Sequence, residues 1–345
     1  MLKITNLQKT FNAGTVNAKT ALDGLNLHIK EGDFVTVIGG NGAGKSTLQN
    51  AIAGVWKPDF GTIEIDGVDV TNMPEHKRAQ FLGRVFQDPM RGTAPDMEIA
   101  ENLAIASKRG IKRRFVRGVR KADREYYREL LKTLDLGLED RLSTKVGLLS
   151  GGQRQAVTLL MASMNKPKLL LLDEHTAALD PKTAAKVLEL TNKIVTENHL
   201  TTLMITHNMR DAIAYGNRLI MLHEGRVIVD VEGEEKQMLT VEDLLSLFVK
   251  ASGKIFADDR AILAYLFPGC GKPRPGPILF LQILSNYDTI YLNSILEVTQ
   301  NECKSDYENL RGYRLCPHGR QRRRAEDCPV SGRSGGRNGS EGRLP

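Results

Sequence analysis

The sequence predicts an α/β fold: a parallel sheet covered on both faces, a small antiparallel β-layer beside it, and an inserted helical subdomain. Three observations carry this expectation. Apolar runs at residues 34–38, 169–172 and 203–206 are each followed by a polar turn and a helical pattern, as central strands of a parallel sheet should be. Residues 25–29 and 62–66 instead alternate apolar with polar, the period of a strand with one wet face. Between Gln87 and Leu149 strand signals fade and helical spacing takes over.

Taken in order, Leu25-Asn26-Leu27-His28-Ile29 and Thr62-Ile63-Glu64-Ile65-Asp66 belong to the antiparallel layer. Phe34-Val35-Thr36-Val37-Ile38 runs into a glycine loop, and a helix begins near Lys45. The helical subdomain spans about residues 88–160, where Tyr126, Tyr127, Leu130, Leu131 and Leu134 fall at helical spacing. Residues 241–248 read as a closing amphipathic helix. Beyond about Gly253 the style changes: 269–277 is rich in glycine and proline, and from Arg311 onward arginine is used without lysine, as in Arg322-Arg323-Arg324. The chain thus divides into a domain at 1–253 and an appended basic tail at 254–345, which is disordered or non-native, or else a basic arm for nucleic acid or lipid.

A length of 345 residues allows one large domain or two ordinary ones. The formal net charge of +7 gives only a mild attraction to anionic partners, because both signs are abundant. No apolar run approaches the roughly 18 residues needed to cross a bilayer, and the start Met1-Leu2-Lys3-Ile4 lacks the plan of a secretory signal, so a cytosolic location is expected. The cysteines, Cys270, Cys303, Cys316 and Cys328, match neither redox pairs nor zinc knuckles. The stretch 108–128, dense in Lys and Arg and including Lys112-Arg113-Arg114, reads as a solvated helix face or as a surface for lipid headgroups.

Three segments carry chemistry. Gly39-Gly40-Asn41-Gly42-Ala43-Gly44-Lys45-Ser46 fits G-x-x-x-x-G-K-[ST] between a strand and a helix. Its glycines let successive N–H groups face one concavity suited to phosphates, which Lys45 reaches while Ser46 offers a hydroxyl to Mg²⁺ and Thr47 adds a phosphate contact. Leu169-Leu170-Leu171-Leu172-Asp173-Glu174 is a buried strand ending in two carboxylates at the edge where open α/β sheets bind ligands. There Asp173 can hold Mg²⁺ and Glu174 can polarise a water. Leu149-Ser150-Gly151-Gly152-Gln153 opens a further helix, with Ser150 as its cap, and makes a second anion site remote from the first.

Together these segments resemble the ATP-binding cassette (ABC) ATPases, the motor subunits of ABC transporters, over roughly residues 1–253. The resemblance implies a P-loop NTPase fold with a RecA-like parallel-sheet core, ATP as substrate and Mg²⁺ as cofactor. It assigns Phe11 to stacking on adenine, Gln87 to the metal or the water, and His207 to the γ-phosphate. Ser150, Gly151, Gly152, Gln153 and Asp180 would act in trans on the ATP of a second copy, in a head-to-tail dimer. Also implied are a separate membrane permease, received near residues 91–102, a substrate-binding protein outside the membrane, and a place on the cytoplasmic face; no specific nucleic acid is expected. The stretches 88–97 and 173–181 look like bacterial uptake systems labelled as tryptophan/tyrosine transporters, which implies import of a small solute such as an amino acid. An exporter, or a non-transport ABC ATPase acting on ribosomes or DNA, stays open as an alternative. His175 departs from the pattern, standing where relatives often have proline.

Overall fold

The computed structural model describes residues 1–111 and 118–252. Strands β1 (Leu2–Phe11) and β2 (Lys19–Ile29) open the chain, β3 (Phe34–Gly39) enters the glycine loop, and helix α1 (Lys45–Ala53) leaves it. Then come β4 (Phe60–Ile65), β5 (Val68–Asp69), α2 (Glu75–Arg78) and β6 (Leu82–Val85). The insertion holds α3 (Ile99–Ser107), α4 (Lys121–Lys132) and α5 (Gly151–Ser163). The remainder is β7 (Leu169–Asp173), α6 (Pro181–Glu197), β8 (Thr202–Ile205), α7 (Met209–Ala214), β9 (Arg218–His223), β10 (Arg226–Glu232), α8 (Glu234–Met238) and α9 (Val241–Ser252).

The larger sheet has the order β10-β9-β3-β8-β7-β6, parallel except for β10 at its edge. The smaller sheet, β2-β1-β4-β5, is antiparallel throughout. The leucine run of β7 shows why the central strands must be apolar on both faces. Leu169 and Leu171 pack with the smaller sheet and α1, whereas Leu170 and Leu172 pack with the helical insertion. All four are fully buried, and each contributes roughly 2 kcal/mol of transfer free energy. β8 divides in the same way, Leu203 and Ile205 to one side and Met204 to the other.

The expected strands and the closing helix are present, with Leu244 and Phe248 of α9 buried. Within α4 the apolar face is narrower than its spacing suggested: Tyr127 and Leu131 are buried, but Tyr126 is 52% exposed. The β9–β10 hairpin lies beyond the strands expected from sequence. Its signal was the Glu224-Gly225 turn, where both residues take positive φ (45° and 78°) as a tight hairpin requires. Lys112-Arg113-Arg114 and the tail at 254–345 lie outside the described residues.

Helix α1 is fixed at its far end by Arg78, which is 1% exposed. The guanidinium donates to the carbonyls of Ala51 (2.7 Å), Ile52 (2.9 Å), Thr71 (2.9 Å) and Met73 (2.7 Å). A cation at a helix C-terminus meets the negative end of the dipole, and four acceptors offset the cost of burying it. The helix that carries the glycine loop at its start is therefore anchored at its finish.

Candidate functional site

The glycine loop leaves β3 at the middle of the larger sheet. Gly39 and Gly44 must be glycine, because their φ values are 153° and 100° and a Cβ would strike the carbonyls of Leu222 and Ala21 respectively. Gly40 differs: nothing lies within 4 Å of where its Cβ would be, so no clash requires glycine there. The backbone N–H groups at the start of α1 form the cradle suited to an anion. Lys45 lies on the floor of the loop, donating to the carbonyls of Gly39 (2.6 Å) and Gly40 (3.2 Å). Ser46 is exposed and Thr47 half-buried in the first turn of α1.

Asp173 ends β7 beside this helix. Gln49, one turn after Lys45 and fully buried, donates its amide nitrogen to both Asp173 oxygens (3.2 and 3.0 Å) and accepts from the Leu172 N–H (3.3 Å) when the amide is assigned by its partners. Arg84 on β6 stands 3.8 Å from the same carboxylate and donates to Asn50 Oδ1 at 2.7 Å. Burial raises the Asp173 carboxyl above its ordinary range, against the pull of Arg84 and Lys45 and with a push from Glu174. Ser46 hydroxyl, Asp173 carboxylate and Gln87 amide are all oxygen donors, the hard set that suits Mg²⁺. Among the described residues no group of three His, Cys, Asp or Glu is arranged to hold a metal ion by itself.

Glu174 takes φ +43°, a left-handed conformation that costs a non-glycine residue about 1 kcal/mol. Its N–H is held by the Ile205 carbonyl at 3.0 Å, so the sheet fixes the strained turn. Its carboxylate meets Gln87 Nε2 at 3.4 Å and His207 Nδ1 at 3.6 Å. Gln87 follows β6 and His207 follows β8, the two strands flanking β7. Three residues far apart in the chain thus converge because parallel strands all deliver their C-terminal ends to one edge. His175, next in sequence, turns inward: it is 2% exposed, bonds Thr191 on α6, and burial lowers its ring to about 4.

The second anion site is separate. Ser150 caps α5 through a reciprocal pair with Gln153 (both 3.3 Å), leaving its first turn at an exposed helix N-terminus. A Cβ on Gly151 would touch Leu179 at 3.2 Å, and one on Gly152 would collide with Thr183. These glycines let α5 start against α6, whose own cap Asp180 accepts from the Thr183 N–H at 3.1 Å. Phe11 ends β1 half-buried, with Trp56 edge-on at 5.3 Å between ring centres. Sequence reasoning missed Gln49 and Arg84. Gln49 was legible in principle, lying four residues after Lys45 on the same helix, whereas Arg84 is placed only by the pairing of β6 with β7.

A family model described as ABC transporter matches residues 22–177. The chain is 48% identical over 248 residues to the tyrosine transport ATP-binding protein of Clostridioides difficile (strain R20291), covering 72% of this chain and 98% of that protein. It is 34% identical over 256 residues to the xylose/arabinose import ATP-binding protein of Sulfolobus acidocaldarius, covering 74% and 96%. Among solved structures, a dimeric post-hydrolysis ATP-binding cassette bound to ADP and Pi superposes with a TM-score of 0.58 at 33% identity, over 67% of this chain and 98% of that one. With the cradle, the acidic strand end and the second helix cap in place, the chain belongs to the ATP-binding subunits of ABC transporters, and it is an ATPase of that family.

Proposed function

We propose that the chain powers uptake of a small solute, such as an aromatic amino acid, by hydrolysing ATP at two composite sites in a head-to-tail dimer. The observation that carries the catalytic part is the convergence of Gln87 and His207 on Glu174 beside the phosphate cradle. Lys45 binds the β- and γ-phosphates, Glu174 takes up and orients the attacking water, and Gln87 and His207 hold its carboxylate and sense the γ-phosphate. Bound Mg²⁺, held by Ser46, Asp173 and Gln87, would supply charge neutralisation at the phosphates. Ser150, Gly151 and Asp180 are exposed at the starts of α5 and α6, and we assign them, with Gly152 and Gln153, to the partner's ATP. Phe11 takes the adenine. The dimeric state of the solved cassette with ADP and Pi supports the pairing.

Uptake is favoured by the relatives, one a tyrosine transport and another a sugar import protein. Among the described residues no helix is long and apolar enough to cross a membrane. We assign membrane coupling to separate permease subunits at the cytoplasmic face, with a substrate-binding protein outside. The test pairs a Glu174→Gln variant with the permease encoded alongside. With ATP the variant should accumulate as a dimer by light scattering, and the wild-type complex in vesicles should hydrolyse ATP faster when tyrosine and its binding protein are supplied. A variant that stays monomeric at saturating ATP would sink the composite site; a rate indifferent to amino acids would sink the cargo class.

A further inference from the structure

We infer that Lys19 is a second cation for the phosphate chain of the nucleotide, delivered to the rim of the glycine loop by the β1–β2 ladder. The inference rests on the loop's being the ATP site. Lys19 begins β2 and is the ladder partner of Phe11, the last residue of β1. Its Nζ lies 3.1 Å, and its Cε 4.0 Å, from the point a Cβ on Gly42 would occupy, and apart from the glycine's chain neighbours no other described residue comes within 4 Å of that point. An exposed strand end thus lays an ammonium directly over the third glycine of the loop.

Several nearby cations are neutralised: Lys9 pairs with Asp59, Lys30 with Glu232 and Arg226 with Asp23. Lys19 has no ion pair or side-chain hydrogen bond among the described residues. A positive charge set without an acidic partner beside a cradle of N–H groups, with Lys45 in the same loop, adds to a field that only an anion relieves. One rung of the ladder therefore presents an aromatic ring and an ammonium side by side. That matches the two ends of a nucleotide, base toward Phe11 and phosphates toward Gly42. Sequence gave no reason to select Lys19, which sits in no motif; folding of β2 against β1 puts it there.

The test uses the full chain and compares Kd for ATP and for adenosine in wild type, Lys19→Met, Lys19→Arg and Lys45→Ala. Replacement by Met should weaken ATP about fivefold, and Arg should restore it to within about twofold, as expected of a solvent-accessible charge-assisted contact. Adenosine affinity should not move, and the wild-type affinity for ATP should fall more steeply with NaCl than that of Lys19→Met. Unchanged ATP affinity in Lys19→Met alongside a loss in Lys45→Ala overturns the inference alone. Equal losses for ATP and adenosine would also overturn it, by assigning Lys19 to shaping the base side. If Lys45→Ala too leaves ATP affinity intact, the assignment of the loop itself fails.

Discussion

The Nε2 of His175 lies 3.0 Å from the hydroxyl of Thr191, joining the residue after Glu174 to the middle of helix α6. Thr191 already donates to the Val187 carbonyl at 2.8 Å, so its oxygen accepts from His175 and the ring is neutral with its proton on Nε2. We expect His175→Ala to destabilise the fold by about 2–3 kcal/mol through a cavity and a lost buried hydrogen bond. Because the same contact braces the strained turn at Glu174, hydrolysis should slow more than ATP binding weakens. Urea unfolding together with kcat and KM checks this, and Thr191→Val should show a smaller loss of the same kind.

Gln49 holds both oxygens of Asp173 from within the helix that carries the phosphate loop. Replacing it with Leu keeps the volume but frees the carboxylate, so the Mg²⁺ concentration for half-maximal ATPase activity should rise about tenfold, the usual cost of removing a metal ligand's orienting partner. A metal titration at fixed ATP measures it. An unchanged midpoint would mean that Arg84 alone suffices to orient Asp173.

Gly152 starts α5 where a side chain would run into the Thr183 methyl of α6. Gly152→Ala should therefore push the two helix starts apart and cut ATPase activity sharply while leaving the Kd of the isolated chain for ATP unchanged. The double substitution Gly152→Ala with Thr183→Gly removes the obstructing methyl and should recover part of the activity. No recovery would place the requirement for glycine at the ligand rather than at the helix contact.

Lys236 is 1% exposed and donates to the carbonyls of Tyr215 and Gly216 and to the Thr36 hydroxyl. Burial lowers its ammonium from the ordinary 10.5 to about 8. Between those values the unfolded chain holds a proton that the folded chain has released, so stability contributed at this site rises with pH across the window and is least below pH 8. The stability of wild type relative to Lys236→Met should accordingly grow from pH 7.5 to pH 9.5, read from urea midpoints at the two values. A constant difference would mean that the three acceptors hold the ammonium at its ordinary value.

The local backbone around the motifs was legible in the chain. Glycines at 39, 42 and 44 before Lys45, four leucines before Asp173-Glu174, and a serine cap before Gly151-Gly152 each specify a local backbone whose consequence is an anion cradle or a carboxylate at a strand end. Periodicity then separated strands buried on both faces from strands with one wet face, which named the two sheets. What sequence left open were pairings between segments that share no local signal. Only the strand order β3-β8-β7-β6 brings Gln87 and His207 to either side of Glu174, and only the neighbouring strand β6 sets Arg84 beside Asp173. The burial of His175 against Thr191 and the reach of Lys19 over Gly42 are likewise contacts across tens of residues or between separate elements. They follow from how apolar faces stack and strands register, so they came into being with the tertiary fold and were invisible in the order of residues alone.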